Sequence, residues 1–204
     1  FVTPEQVQNV TVPYLNGGFF AVDLNSINQK LGNLNWVEQV EVRKKWPDTL
    51  VVQIKEYRPI ALWNTKHMLA EEGSVFTRPN IKLPVLPQFN GQELQAQEML
   101  SFYQKSQPLF RAVGLSIATV SLSERNAWRV QLSDGLVLEI GRNDVDLRLA
   151  RFILLLPKIR REDPRQLVHA DLRYTNGFAL VWQDIPVAVE THSEVQNNNE
   201  QAVI

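Results

Sequence analysis

The stretch that most constrains this chain is residues 36–59, WVEQVEVRKKWPDTLVVQIKEYRP. Val40 and Val42 alternate with Glu41 and Arg43, while Leu50, Val52 and Ile54 alternate with Val51, Gln53 and Lys55. Successive side chains of a strand point to opposite faces, so this period sets one row on a core and the other in water. Between the two arms, Pro47 presets φ at the second position of a turn and Asp48 suits the third. The segment predicts a β-hairpin. The residues after it offer no nucleophile paired with a base, so a surface rather than a pocket is the expected working part.

A chain of 204 residues can form one large domain or two small ones. Its net charge of −1 gives no whole-chain reason to expect nucleic acid or an anionic membrane as partner. No run of about 18 apolar residues is present, so nothing in the sequence predicts a membrane-spanning helix. The chain opens on Phe1 rather than Met; a targeting or anchoring segment upstream is expected. With no cysteine, disulfides and thiolate metal sites are excluded.

Before the hairpin the pattern reads helix, helix. Thr3 is an N-cap with Pro4 at the first helical position and Gln6 completing a capping box, and Val7 and Val10 give the inner face. After Asn16-Gly17-Gly18 and Phe19-Phe20, Asp23 caps a second helix with Leu24, Ile27 and Leu31 on one side; Gly32 ends it. A two-stranded sheet is marginal alone, so a third strand is expected on the N-terminal side. Arg58-Pro59 marks the expected domain boundary, because Pro disfavours helix before it and removes a ladder donor.

Short strands come next at 60–63, 67–70 and 75–76, with a turn at Glu72-Gly73. Pro79, Pro84 and Pro87 punctuate an irregular connection. A helix is expected over 92–105, with Leu94, Met99, Leu100, Phe102 and Tyr103 on its apolar side. Strands are expected at 115–122, 128–132 and 136–140, the last two joined by Ser133-Asp134-Gly135. A helix over 144–156 carries an apolar stripe including Leu147, Ala150, Phe152, Ile153 and Leu156, and Pro157 and Pro164 punctuate the segment after it. Two last strands, 167–174 and 178–183, flank Thr175-Asn176-Gly177, a strong hairpin signature. From Pro186 the chain is polar and reads as a disordered tail over 186–204. The fold class is α+β.

Three runs carry a specific resemblance: VRKKWPDTLVVQIKEYRPIALWN (42–64), GRNDVDLRLARF (141–152) and DLRYTNGFALVW (171–182). With them the chain resembles the FtsQ/DivIB family of bacterial cell-division proteins over nearly its whole length. The resemblance implies a single-pass inner-membrane protein whose periplasmic part, concentrated at the division septum, holds a small POTRA domain (1–58, its first strand missing or truncated) and a β-domain (59–185) with a mixed or antiparallel sheet and flanking helices. It implies no enzymatic activity and no cofactor. It implies FtsB and FtsL as partners, recruitment by way of the POTRA domain after FtsK, and an FtsB contact made by strand pairing at the last strand. After the DLRY run the family carries small residues, whereas here Asn176-Gly177 is followed by Phe178. Backbone pairing tolerates this; a side-chain pocket would differ.

The last strand is expected at a sheet edge, with neither charge nor Pro between Phe178 and Trp182 to blunt it. The competing reading is an edge covered by the protein's own tail. Tyr174 and Trp182 are candidate aromatic anchors, against ordinary core packing. Arg173 is a candidate partner for a carboxylate, against a solvated charge. By resemblance Arg125 lies near the same surface, and Leu155 lines a pocket beneath the strand, against a place in the core. Asn176, Gly177 and Phe178 complete the candidate partner-binding set.

Other constellations carry less. Arg43, Lys44 and Lys45 beside Trp46 suit lipid headgroups or a solvated hairpin face. Arg148, Arg151, Lys158, Arg160, Arg161 and Arg165 are interleaved with Asp144, Asp146, Glu162 and Asp163 and lack a recognition motif, so no nucleic-acid partner is expected; some of these arginines suit the polar backbone of neighbouring loops. His67, His169 and His192 are far apart, and no metal spacing is present. Asp134 and Glu139 are a conceivable carboxylate pair, yet one sits at a turn and the other at a strand end. The alternative to a division scaffold is a POTRA-type chaperone module of outer-membrane protein assembly.

Overall fold

The computed structural model describes residues 2–78 and 83–184. Pro79, Pro186, His192 and the expected tail lie outside the described residues.

The N-terminal unit runs α1 (Pro4–Thr11), α2 (Leu24–Gly32), β1 (Val37–Lys45) and β2 (Thr49–Glu56). Local chemistry starts each helix where the sequence places it. The Thr3 hydroxyl accepts from the Gln6 amide at 3.3 Å, and the Gln6 side chain accepts from the Thr3 amide at 3.0 Å. The Asp23 carboxylate accepts from the amides of Asn25 and Ser26 and from the Ser26 hydroxyl. These bonds satisfy helix-end donors that have no partner within the helix. The strands pair antiparallel, Val40 with Ile54 and Val42 with Val52. Their inner row packs on Ile27 and Leu31, both fully buried, as the alternation requires.

The second unit is a nine-stranded mixed sheet in the order β11-β10-β9-β8-β7-β6-β3-β4-β5. Its strands are β3 (Pro59–Trp63), β4 (His67–Ala70), β5 (Val75–Thr77), β6 (Gln88–Asn90), β7 (Ile117–Leu122), β8 (Trp128–Leu132), β9 (Val137–Gly141), β10 (Gln166–Asp171) and β11 (Ala179–Gln183). Helices α3 (Ala96–Ala112) and α4 (Val145–Glu162) supply the rest of its core. Strand β6 falls in the stretch that the sequence marks only as irregular. It is three residues long and parallel to both neighbours, β3 and β7. Alternation cannot announce so short a strand; neighbouring groups hold it. The Leu62 amide donates to the Pro87 carbonyl, and the Asn64 side chain brackets Gly91, donating to its carbonyl and accepting from its amide.

Both long helices run through a proline. α3 continues past Lys105 and Pro108, and α4 continues past Leu156 and Pro157. Tertiary anchors outweigh the lost hydrogen bond: Phe110 is fully buried, Ile159 packs on the core, and the Arg160 guanidinium pairs with Asp134. The apolar side of α4 is Leu149, Phe152, Ile153 and Leu156. Leu147 and Ala150 are exposed instead, because they fall off that helical stripe. Leu94, expected on the apolar side of α3, precedes the helix in a 3-10 turn and is exposed.

An aromatic clasp joins the two units. Phe76 of β5 stacks on Tyr57 at 4.7 Å and 13°, and tilts against Trp36 at 5.4 Å. Trp36 is buried in the left-handed region at φ 79, and its carbonyl accepts from the Tyr57 amide at 2.8 Å.

Ile27 belongs to a small core separate from that of the nine-stranded sheet. Ile27→Ala is expected to destabilise the N-terminal unit by about 2–5 kcal/mol. Hydrogen exchange after denaturant titration should show lost protection in β1 and β2 with β7–β10 unchanged.

Candidate functional site

Among the described residues β11 ends the nine-stranded sheet and has β10 alone as neighbour. It runs antiparallel to β10, with Asp171 opposite Ala179 and His169 opposite Val181. On its other side β10 is parallel to β9, and the Leu172 amide donates to the Glu139 carbonyl at 2.8 Å. The amide and carbonyl of one strand residue share a side, and successive residues alternate. Leu172 and Ala170 thus turn their backbone to β9, and Asp171 and His169 turn theirs to β11. Ala179 and Val181 therefore close the ladder with β10. The N–H and C=O groups of Leu180 and Trp182 face the open edge.

The side chains of this strand divide the other way. Leu180 and Trp182 are half-buried and pack on the core. Ala179 and Val181 lie on the open face of the sheet, Val181 52% exposed. Trp182 is therefore partly a core residue with its backbone at the edge.

The connection before β11 is not the tight hairpin turn expected at Thr175-Asn176-Gly177 between strands 167–174 and 178–183. β10 stops at Asp171, a loop spans 172–178, and neither Asn176 nor Gly177 adopts positive φ. Side-chain hydrogen bonds to the backbone reshape it. The Asp171 carboxylate accepts from the Arg173 amide at 3.0 Å and from its guanidinium at 2.9 and 2.6 Å. From α4, the Arg151 guanidinium donates to the carbonyls of Thr175 (2.7 Å) and Tyr174 (3.2 Å). It also lies over the Phe178 ring, 5.2 Å from the centroid. Phe178 meets Phe152 edge-on at 5.3 Å. The loop is thus held from behind, and its front opens as a shallow depression of about 410 Å³ lined by residues 174–179. Tyr174 is 58% exposed on that front.

The structure brings Arg173, Tyr174, Asn176, Gly177 and Phe178 together in this loop, while Trp182 lies farther along β11, opposite Leu167. Leu155 is partly exposed rather than in the core, and lies one turn beyond Arg151 on the same face of α4. Arg125 is exposed in the β7–β8 turn. It shares the sheet end of the loop, since Trp128 pairs with Gly141, but β8 lies three strands from β11. Of the α4 arginines, Arg151 reaches loop backbone as described, and Arg148 donates to the carbonyl of Ile140 within β9. Sequence reasoning missed Asp171 and Leu180. Alternation within 178–183 was a usable signal for Leu180; the Asp171–Arg173 pair had none beyond proximity.

Asp134 and Glu139 do not form a pair: Arg160 takes the first and Arg129 the second. Among the described residues no three His, Asp or Glu side chains gather as a metal site. No helix among them is long and apolar enough to cross a membrane.

The Arg173 guanidinium, with its amide, holds the nearly buried Asp171 carboxyl below its ordinary range. As pH falls the unfolded chain takes up this proton first, so the stabilisation is full above the ordinary carboxylate range, begins to fade within it, and is lost as pH drops through the depressed value. The Arg173 Nε–H resonance should hold its position down to about pH 4, the usual carboxylate range, and shift below it. Asp171→Asn should remove that acid-range transition.

Comparison with known proteins identifies relatives. The family model described as "Cell division protein FtsQ/DivIB, C-terminal" matches residues 61–173, and "POTRA domain, FtsQ-type" matches residues 1–57. Relatives named cell division protein FtsQ include those of three bacteria. That of Xanthomonas campestris is 41% identical over 88% of this chain and 64% of its own length. That of Coxiella burnetii is 32% identical over 88% and 74%, and that of Escherichia coli 34% over 91% and 69%. The chain thus spans 64% to 74% of these proteins. Two matching models in chain order, on an α+β fold with two separate cores, make the conclusion plain: this chain belongs to the FtsQ/DivIB family of cell division proteins.

Proposed function

We propose that this chain is the periplasmic region of a non-enzymatic division scaffold, anchored in the inner membrane by an upstream segment and concentrated at the septum. Residues 1–58 act as the POTRA domain in recruitment, downstream of FtsK, and residues 59–185 as the β-domain. The β-domain captures FtsB, and FtsL through it, by adding a strand of FtsB to β11. One observation carries the reading: the sheet ends in a strand whose Leu180 and Trp182 backbone groups face outward, with no charge or Pro between Phe178 and Trp182 to discourage pairing.

In this reading, backbone pairing supplies affinity and side chains fix register. Tyr174, Asn176, Gly177 and Phe178 form the depression that takes a partner side chain beyond the end of the added strand. Arg173, already oriented by Asp171, offers its remaining donors to a partner carboxylate. Arg125 meets a part of the partner that crosses the same end of the sheet. Leu155 flanks the loop and Trp182 keeps the strand seated. The FtsQ-type POTRA match followed directly by the FtsQ/DivIB C-terminal match favours a division scaffold over a chaperone of outer-membrane assembly.

Proline substitution separates edge from core. Pro at Ala179 would remove a donor that the β10 ladder uses. Pro at Leu180 removes one that faces the open edge, a place where strands tolerate it. In a calorimetric titration with the periplasmic part of the same organism's FtsB, Leu180→Pro is expected to weaken binding about tenfold or more. Leu180→Ala, which shortens the same side chain and keeps the donor, should bind within a few-fold of the parent. Parent-like binding by the proline variant would refute strand addition at this edge.

A further inference from the structure

Far from β11, the N-terminal unit presents an aromatic cluster that no core absorbs. The Phe19, Phe20 and Trp46 rings form a closed triangle, with centroids 5.7, 5.8 and 5.4 Å apart and every pair edge-on. Phe20 is 75% exposed and Trp46 71%. Single exposed apolar residues need no explanation, but a preassembled aromatic group does. Lys44 binds it together: its ammonium donates to the Phe20 carbonyl at 3.0 Å and lies 5.6 Å from the Phe19 centroid.

Trp46 sits in the turn at residues 46–48, the tip of the β1–β2 hairpin, and Phe19 and Phe20 reach it from a 3-10 turn at Phe19–Ala21. At about 3.3 Å per residue, β1 carries it roughly 30 Å from the aromatic clasp at Trp36. Charge at the tip is positive. Arg43, Lys44 and Lys45 precede Trp46, and none makes an ion pair among the described residues. The nearby carboxylates are Asp48 in the turn, Glu41 along the strand, and Asp23, which is occupied capping α2.

We propose that this tip docks on an anionic lipid surface, with Trp46 and Phe20 entering the interfacial layer and the three cations lying against headgroups. Two features favour lipid over a protein groove. Rings of Trp and Phe with adjacent cations match the layered polarity of a bilayer interface. And the cations are not on one face: Lys44 is on the helix side of the hairpin, while Arg43 and Lys45 alternate to the other side. A groove on a folded protein meets one face of a hairpin. A fluid surface meets the whole tip.

The test is flotation of the chain with phosphatidylcholine vesicles, with and without phosphatidylglycerol, at two salt concentrations. The parent is expected to float only with the anionic vesicles and to be released by salt. Arg43→Gln and Lys45→Gln should each lower partitioning about fivefold. The double variant Phe20→Ala with Trp46→Ala should lower it at least tenfold at low salt, while hydrogen-exchange protection of the β1 and β2 amides stays at the parent level as evidence that the N-terminal unit is folded. A parent that does not float, or floats equally with both vesicles, overturns the proposal. An aromatic variant that floats like the parent also overturns it, leaving charge alone. Since no step depends on β11, failure here leaves the edge-strand reading standing.

Discussion

A β-sheet stops where a strand's outward N–H and C=O groups meet no further strand, and this sheet stops in two unlike ways. At one end β5 is three residues long, and its Phe76 is clasped by Trp36 and Tyr57 of the neighbouring unit. At the other end β11 leaves the backbone of Leu180 and Trp182 facing outward. Buried or not, such groups are obligate hydrogen-bonding groups. In the open they bond to water, and a partner strand gains by replacing that water along a whole row. The short, clasped end suits a joint between domains. The open end suits capture.

The open end is also prepared. Arg151, on α4, ties down the carbonyls that precede β11 and covers the Phe178 ring. Asp171 stops β10 early and orients Arg173. Together these contacts exchange a flexible turn for a loop of defined shape, which lowers the ordering cost that binding would otherwise carry. Behind them Phe152 sits fully buried against Phe178, so the shape of the loop is continuous with the main core.

Most of this architecture was legible because period-2 and helical patterns are local. The hairpin around Pro47, the Asp23 and Thr3 caps, and the strands around Gly135 arise from neighbouring residues alone. The features that escaped are those set by distant contacts. β6 is too short to show alternation and exists through β3 and β7. The expected helices ended at Lys105 and, before Pro157, at Leu156, yet Phe110 and Ile159 carry them onward. Asn176-Gly177 reads as a tight turn, yet Arg151 and Asp171 open it. Of the site, the edge strand was readable from its uncharged composition and its place as the last strand of the sequence before the polar stretch from Pro186. The direction of each backbone group was not, since it depends on how β10 pairs with β9. Arg125 was assigned to the neighbourhood by resemblance, and the sheet sets it three strands away at the same end. The Phe19–Phe20–Trp46 group joins two segments with no periodic relation, so neither segment announces it.

The central claim concerns particular amides, and hydrogen exchange reads them one at a time. In the free chain, the Ala179 and Val181 amides should be protected by the β10 ladder, while those of Leu180 and Trp182 exchange fast. Adding the periplasmic part of FtsB should slow Leu180 and Trp182 selectively and leave Ala179 and Val181 little changed. Protection that appears elsewhere with these two amides still exchanging fast would contradict strand addition at β11.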